Sequence, residues 1–229
     1  MDLTDAHCHV AERAATAVLS GTPEEVGRWI DTGVDGVFSV GVHPWETAGA
    51  SCDDLQRRVA EVARLAGLPQ VVAVGETGLD ALRGGDMQIQ ERVLCEHVRI
   101  SERVGKPLVL HVVRSSHRIM ASCRGMEREF KPAQLRQAWI WHGFRGGEEE
   151  ARQFVRLRSR NYISLGYRFN AVAARSIPAD RLLVETDDSA VTINEVALRV
   201  AEARGENVEA FMAQVRRNLH DAGIVRPCR

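Results

Sequence analysis

Six side chains of metal-binding type stand at or near the ends of five short apolar runs: His7, His9, Glu76, His111, His142 and Asp187. The pair His7-Cys8-His9 closes Leu3-Thr4-Asp5-Ala6, and Glu76 follows Val71-Val72-Ala73-Val74-Gly75. His111 ends Pro107-Leu108-Val109-Leu110, His142 ends Ala138-Trp139-Ile140-Trp141, and Asp187 follows residues 181–186. Alternate side chains of a strand share a face, so His7 and His9 can offer two imidazole nitrogens to one cation while Cys8 packs behind them. Imidazole and carboxylate donors suit zinc, manganese, iron or another divalent ion. Six donors exceed the four of one tetrahedral zinc, and a carboxylate can bridge, so the count points to two divalent ions. Paired ions can clamp the attacking and leaving oxygens of a phosphodiester and lower the pKa of a water.

Taken singly, each residue has a plain structural explanation. A buried histidine is more often a hydrogen-bonded core residue than a ligand, and an aspartate after a strand is often a turn residue. Five strand ends all closing on ligand-type residues make the joint reading the stronger one. His43, in Gly41-Val42-His43-Pro44-Trp45, also ends a strand, but Pro44 and Trp45 suggest a rigid loop with an aromatic wall. It is expected to touch substrate or make a structural hydrogen bond. Gly143-Phe144-Arg145-Gly146-Gly147 leads straight into a helix, where backbone N–H groups could seat a phosphate with Arg145 as a charge-assisted partner.

Residues so far apart can meet only if their strands run the same way around one mouth, as in parallel barrels, where reacting groups come from carboxyl ends of strands. The chain alternates β-branched runs with amphipathic stretches, the mark of βα units. Strands are expected over 14–19, 37–42, 71–74, 107–110, around Trp139, over 162–165 and around Leu182, in addition to the first. A helix capped by Thr22, with Pro23 at its first position, runs to Gly33. Others are expected over 53–66, 88–104, the 116–123 region, 148–157, 193–204 and 208–222. The result is one domain, residues 1–229, as a TIM-type (β/α)8 barrel. Its second βα unit is shortened, because little separates His9 from Ala14.

The 229 residues are 45% hydrophobic and 27% charged, with a formal net charge of −1. That balance excludes a protein held on nucleic acid by bulk charge, though not a local basic rim. Arg114, His117, Arg118, Arg124, Arg128, Lys131 and Arg136 cluster in one stretch, and Arg152, Arg156, Arg158 and Arg160 in the next. Such runs usually form solvated helix faces. No apolar run is long enough for a membrane span, and no signal-peptide pattern opens the chain. Five scattered cysteines without a CxxC pair suit reduced thiols in a cytoplasmic protein. A monomer with no obligate protein partner is expected.

The motifs resemble the TatD-type metal-dependent deoxyribonucleases of the amidohydrolase-like superfamily. They are Asp5-Ala6-His7-Cys8-His9, Gly41-Val42-His43-Pro44, Val74-Gly75-Glu76-Thr77-Gly78-Leu79-Asp80, Lys106-Pro107-Leu108-Val109-Leu110-His111, His142-Gly143-Phe144-Arg145-Gly146 and Leu183-Val184-Glu185-Thr186-Asp187. The resemblance implies that His7, His9, Glu76 and Asp187 surround one ion. Glu76, as bridge, would hold a second (magnesium, zinc or manganese) with His111 and His142. It implies hydrolysis of DNA by a metal-activated water, with Asp187 as the base. The chain departs from the family pattern around the substrate. His111-Val112-Val113-Arg114 replaces His-Ser-Arg, displacing Arg114, a substrate-binding candidate, by one position. Trp45 stands where many members carry a second histidine. Asp188-Ser189-Ala190 replaces Ser-Pro, and a basic-Asn-Glu-Pro segment is absent. The alternatives are an enzyme acting on a small amide, lactone or phosphoester, and a non-catalytic scaffold on the same barrel.

Overall fold

The computed structural model describes residues 3–130 and 135–227, without the side chains of 127–130. Lys131, Cys228 and the side chain of Arg128 therefore lie outside the described residues. Eight strands follow one another in chain order: β1 Asp5–Cys8, β2 Ala17–Gly21, β3 Val37–Val40, β4 Val71–Asp80, β5 Leu108–Val113, β6 Trp139–Trp141, β7 Asn161–Leu165 and β8 Leu182–Val184. All neighbouring pairs are parallel. A parallel bridge from Cys8 to Asp187 brings the first strand against the end of the last. The sheet is thus the nearly closed barrel that the alternation of elements predicts.

Around it run α1 Pro23–Asp31, α2 Cys52–Leu65, α3 Met87–Val104, α4 Ser116–Phe130, α5 Glu148–Leu157, α6 Ala171–Ser176, α7 Ile193–Arg204 and α8 Val208–Ala222. The helices cover the outside of the sheet, so β3, β4, β6, β7 and β8 are buried along their whole length. Parallel strands read as continuous apolar runs for this reason. Among the described residues no helix is long and apolar enough to cross a membrane.

The abbreviated connection lies before β2. Residues between β1 and β2 form only a 3₁₀ turn, Ala11–Arg13, with Ala14 N donating to Ala11 O and Thr16 N to Arg13 O. Those bonds occupy the start of the expected 14–19 strand and move it to Ala17–Gly21. β3 stops at Val40, two residues early, because Val42 N turns away to donate to His97 Nε2 on α3. α4 continues to Phe130, and α6 was not anticipated; its six residues leave little periodicity to detect. The Thr22 cap has the reciprocal geometry with Glu25 that its sequence suggests.

Two glycines let the strand ends converge. Gly78 has φ +144°, and a side chain there would strike the carbonyl oxygen of His111. Gly41 lies so close to Glu76 that a Cβ would meet its carbonyl oxygen. Any larger residue at either place would push apart strands whose ends carry the candidate ligands.

Candidate metal centre

Glu76 lies within the register shift in β4, between Val74 and Thr77. Its carboxylate is buried at the barrel mouth, and its two oxygens face different neighbours. Oε2 lies 3.3 Å from His7 Nε2 and 3.5 Å from His9 Nε2. Oε1 lies 2.7 Å from His111 Nδ1 and 2.7 Å from His142 Nε2. Asp187 Oδ1 completes the first group at 3.9 Å from His7 Nε2 and 3.6 Å from His9 Nε2. The structure therefore brings all six predicted donors to one place.

The first group has the spacing of a ligand set. His7 Nε2 and His9 Nε2 are 3.2 Å apart. Donors bound tetrahedrally at about 2.1 Å stand roughly 3.4 Å from one another, and the separations in this group cluster around that value. The second group is drawn in tighter, at direct hydrogen-bonding distance, so its residues contact the Glu76 oxygen itself. Donor chemistry suits a divalent ion at both, and charge does too. The cavity beside them, of about 300 Å³, is lined by the carboxylates of Glu25, Glu46, Glu76, Asp187 and Asp188 and by no Arg or Lys. A larger hollow, about 1190 Å³, lies between α2 and α3 and includes none of these donors.

The imidazoles are aimed by their far nitrogens. His9 Nδ1 is 2.9 Å from Ser20 O, so it donates there and leaves Nε2 free to ligate. His111 Nε2 donates to Asp80 Oδ2 at 3.1 Å and turns Nδ1 inward. His142 Nδ1 is 3.3 Å from Glu185 Oε1, which also accepts from Gly143 N at 2.5 Å. Such carboxylate or carbonyl partners fix the tautomer and raise ligand basicity. His7 differs, because its Nδ1 is buried without a partner among the described residues. Asp187 adopts φ +53°, a region aspartate tolerates better than most residues.

His43 enters the same cluster. Its Nε2 is 3.1 Å from Glu76 Oε1 and 3.2 Å from His111 Nδ1, close enough to share an ion with them. Its Nδ1, however, accepts the backbone N–H of Trp45 at 3.1 Å. A neutral imidazole with Nδ1 accepting carries its proton on Nε2, so it donates to Glu76 and has no lone pair for a metal there. That geometry makes His43 a hydrogen-bond donor at the rim.

Burial opposes charge throughout, and at Glu76 and His142 the neighbours override it. Desolvation would raise the Glu76 pKa, but His142 and the other imidazoles around it hold the carboxyl well below its usual range. Burial would lower the pKa of His142, but Glu76 and Glu185 push it well above the ordinary value. Asp5 is the opposite case. Burial raises it to about 7, although Thr186 Oγ1 at 2.6 Å, Thr186 N at 3.0 Å and His7 N at 3.3 Å all donate to it.

The expected phosphate contacts are placed elsewhere. Arg114 and Arg145 are exposed and do not line the cavity. The Gly143–Gly147 turn is already served by protein carboxylates. Gly143 N is taken by Glu185, and Glu148, Glu149 and Glu150 fill the first turn of α5. Those three charges disfavour a phosphate at this helix end. Asp5, Asp80, Glu185 and Trp45 were not singled out as site residues by sequence reasoning. Asp80 and Glu185 stand in the quoted Gly-Leu-Asp and Glu-Thr-Asp stretches, and an Asp inside the apolar first run was the available signal for Asp5.

The profile of the family described as TatD related DNase matches residues 24–222. The chain belongs to this family. It is 31% identical over 177 residues to "3'-5' ssDNA/RNA exonuclease TatD" of Cronobacter sakazakii (strain ATCC BAA-894), covering 71% of this chain and 64% of that protein. It is 34% identical over 161 residues to "Uncharacterized metal-dependent hydrolase YcfH" of Escherichia coli (strain K12), covering 66% of this chain and 55% of that one. The matched part thus spans less than two thirds of either relative. The crystal structure of YjjV, a TatD homologue from Escherichia coli K12, superposes with a TM-score of 0.79 at 21% identity, over 97% of this chain and 98% of that one. At that identity the likeness speaks for the TatD-type barrel.

Proposed function

We propose that this TatD-family chain hydrolyses phosphodiester bonds of DNA at a centre holding two divalent ions. One observation carries the reading: the two oxygens of buried Glu76 face different imidazoles, Oε2 those of His7 and His9 and Oε1 those of His111 and His142, with Asp187 beside the first pair. The name of the Cronobacter relative supports a nucleic acid substrate. The ions, when bound, would supply positive charge that acidifies a water and offsets charge on the phosphoryl oxygens. Asp187, 29% exposed at the mouth, would take the proton of the attacking water in this reading. His43 lines the same opening with its Nε2–H donated to Glu76. Glu185 and Asp80 hold His142 and His111 in their donor orientations.

The second reading, a small phosphoester, amide or lactone substrate, draws support from the cavity. At about 300 Å³, with no arginine or lysine among its described lining residues, it suits a compact substrate or a strand end better than a long duplex. Metal content and turnover separate these possibilities. The reconstituted protein is expected to hold two ions per chain and Glu76→Gln one or none. With Mg²⁺, Mn²⁺ or Zn²⁺ it should degrade single-stranded DNA, and Asp187→Asn should be slower by about 10³-fold. Metal content near zero would end the two-ion reading. Hydrolysis of small esters without any of DNA would move the assignment to the second reading.

A further inference from the structure

The segment that departs from the family pattern supplies a feature that neither the ligands nor the fold requires. Trp45 sits on the 3₁₀ turn Pro44–Thr47 and lines the cavity, yet 46% of it is exposed. Its orientation is fixed. Indole Nε1–H donates to Asp80 Oδ2 at 2.6 Å, and the ring meets His43 and His111 edge to face at 4.7 and 5.8 Å between centroids. Asp80 Oδ1 accepts from Leu82 N and Arg83 N at 2.8 and 3.0 Å, and the Arg83 guanidinium lies 4.6 Å from the indole centroid. Leu82 is itself 62% exposed. One buried carboxylate therefore gathers an indole, an aliphatic side chain and a guanidinium beside the His111 end of the centre.

We propose that Trp45 is a stacking surface for the nucleobase next to the bond being hydrolysed; this rests on the nucleic-acid reading above. The cavity walls are acidic, so a nucleotide gains no attraction from cationic side chains lining them. A rigid aromatic ring supplies an uncharged contact that every base can use, because every base has a π-face. A ring already held by its N–H loses little freedom when a base covers it. Arg83, whose guanidinium lies over the ring, backs it with a cation–π contact, so a base would use the face away from it.

The competing role is structural: Trp45 could act only by holding Asp80, and through it His111. Trp45→Phe keeps a ring and loses the N–H, whereas Trp45→Leu loses both. The full metal-loaded chain is titrated calorimetrically with dAMP and with 2-deoxyribose 5-phosphate. It is also assayed on oligothymidylate and on an abasic oligomer of equal length. Trp45→Leu is expected to weaken dAMP binding and raise KM on oligothymidylate by about five- to a hundredfold, the range base–aromatic stacking gives. Both base-free probes should be unchanged, and Trp45→Phe should stay within a few-fold of wild type. Equal losses on base-bearing and base-free probes, or Trp45→Phe as impaired as Trp45→Leu, would overturn stacking in favour of the structural role. Wild-type binding that does not distinguish dAMP from the sugar phosphate would also overturn it. Should DNA not be hydrolysed at all, the calorimetric comparison still decides the stacking question separately.

Discussion

Each candidate imidazole ligand except His7 is oriented by a second group, and those groups set how the centre responds to mutation and pH. Asp80 receives the far nitrogen of His111 as well as the Trp45 indole, and Glu185 receives that of His142. Asp80→Asn is expected to weaken metal binding about 10- to 100-fold while leaving the ligands in place, as loss of such partners generally does. Calorimetric titration would check this, and an unchanged affinity would remove Asp80 from the centre. Burial lowers the His142 pKa, but Glu76 and Glu185 outweigh it and push it well above the usual histidine range, which favours a proton on the ring. A ligand nitrogen must give that proton up, so ion uptake should release protons and weaken as pH falls. Titrations in two buffers of different ionisation enthalpy would count them; a count of zero would refute the charged His142.

At the scale of elements, the sequence revealed most where periodicity and caps agreed. α5, α7 and α8 occupy the predicted residues, and the Thr22 cap fixed the start of α1. What remained hidden depends on contacts between distant segments. The shift of β2 reflects a 3₁₀ turn with no distinctive composition, and β3 ends early because α3 captures Val42 N. The six ligand-type residues were legible because strand ends display chemistry. Glu185, Asp80 and Asp5 were obscure because a carboxylate that orients a histidine looks, in sequence, like any other acid. His97 shows the same limit. Buried on α3, it donates from Nδ1 to Val93 O at 2.8 Å and accepts Val42 N on Nε2 at 2.9 Å. Burial lowers its pKa from 6.5 to about 4. The unfolded chain therefore takes up this proton first as pH falls. The stabilisation is full above pH 6.5 and is lost towards pH 4, amounting to about 3 kcal/mol. His97→Phe should cost about 1–3 kcal/mol at neutral pH by leaving Val42 N–H unpaired. It should also flatten the pH dependence of the denaturant midpoint between 6.5 and 4. Equal slopes in both proteins would contradict the assignment.

For the molecule as a whole, the weakest line of the barrel is where β1 meets β8. Ladders of two to five residue pairs join the other neighbours, whereas this seam relies on the Cys8–Asp187 bridge. There Asp187 N donates to His7 O at 2.9 Å and His9 N to Asp187 O at 3.1 Å, with Asp5 fastened to Thr186 alongside. Three candidate ligands lie on these few residues, so an ion held by His7, His9 and Asp187 also ties the seam. Adding a chelator should lower the melting temperature and speed amide exchange at His9 and Asp187 far more than in β5 and β6. Uniform exchange along all strands would show that closure does not depend on the ion. Because Asp187 is at once a rung of the ladder and a candidate donor to the ion, a chain starved of metal should expose its own amino-terminal strand. Limited proteolysis should then cut near residues 9–16 in the apo protein and spare the loaded one. In a cell, the lifetime of such a chain would follow the supply of the ion.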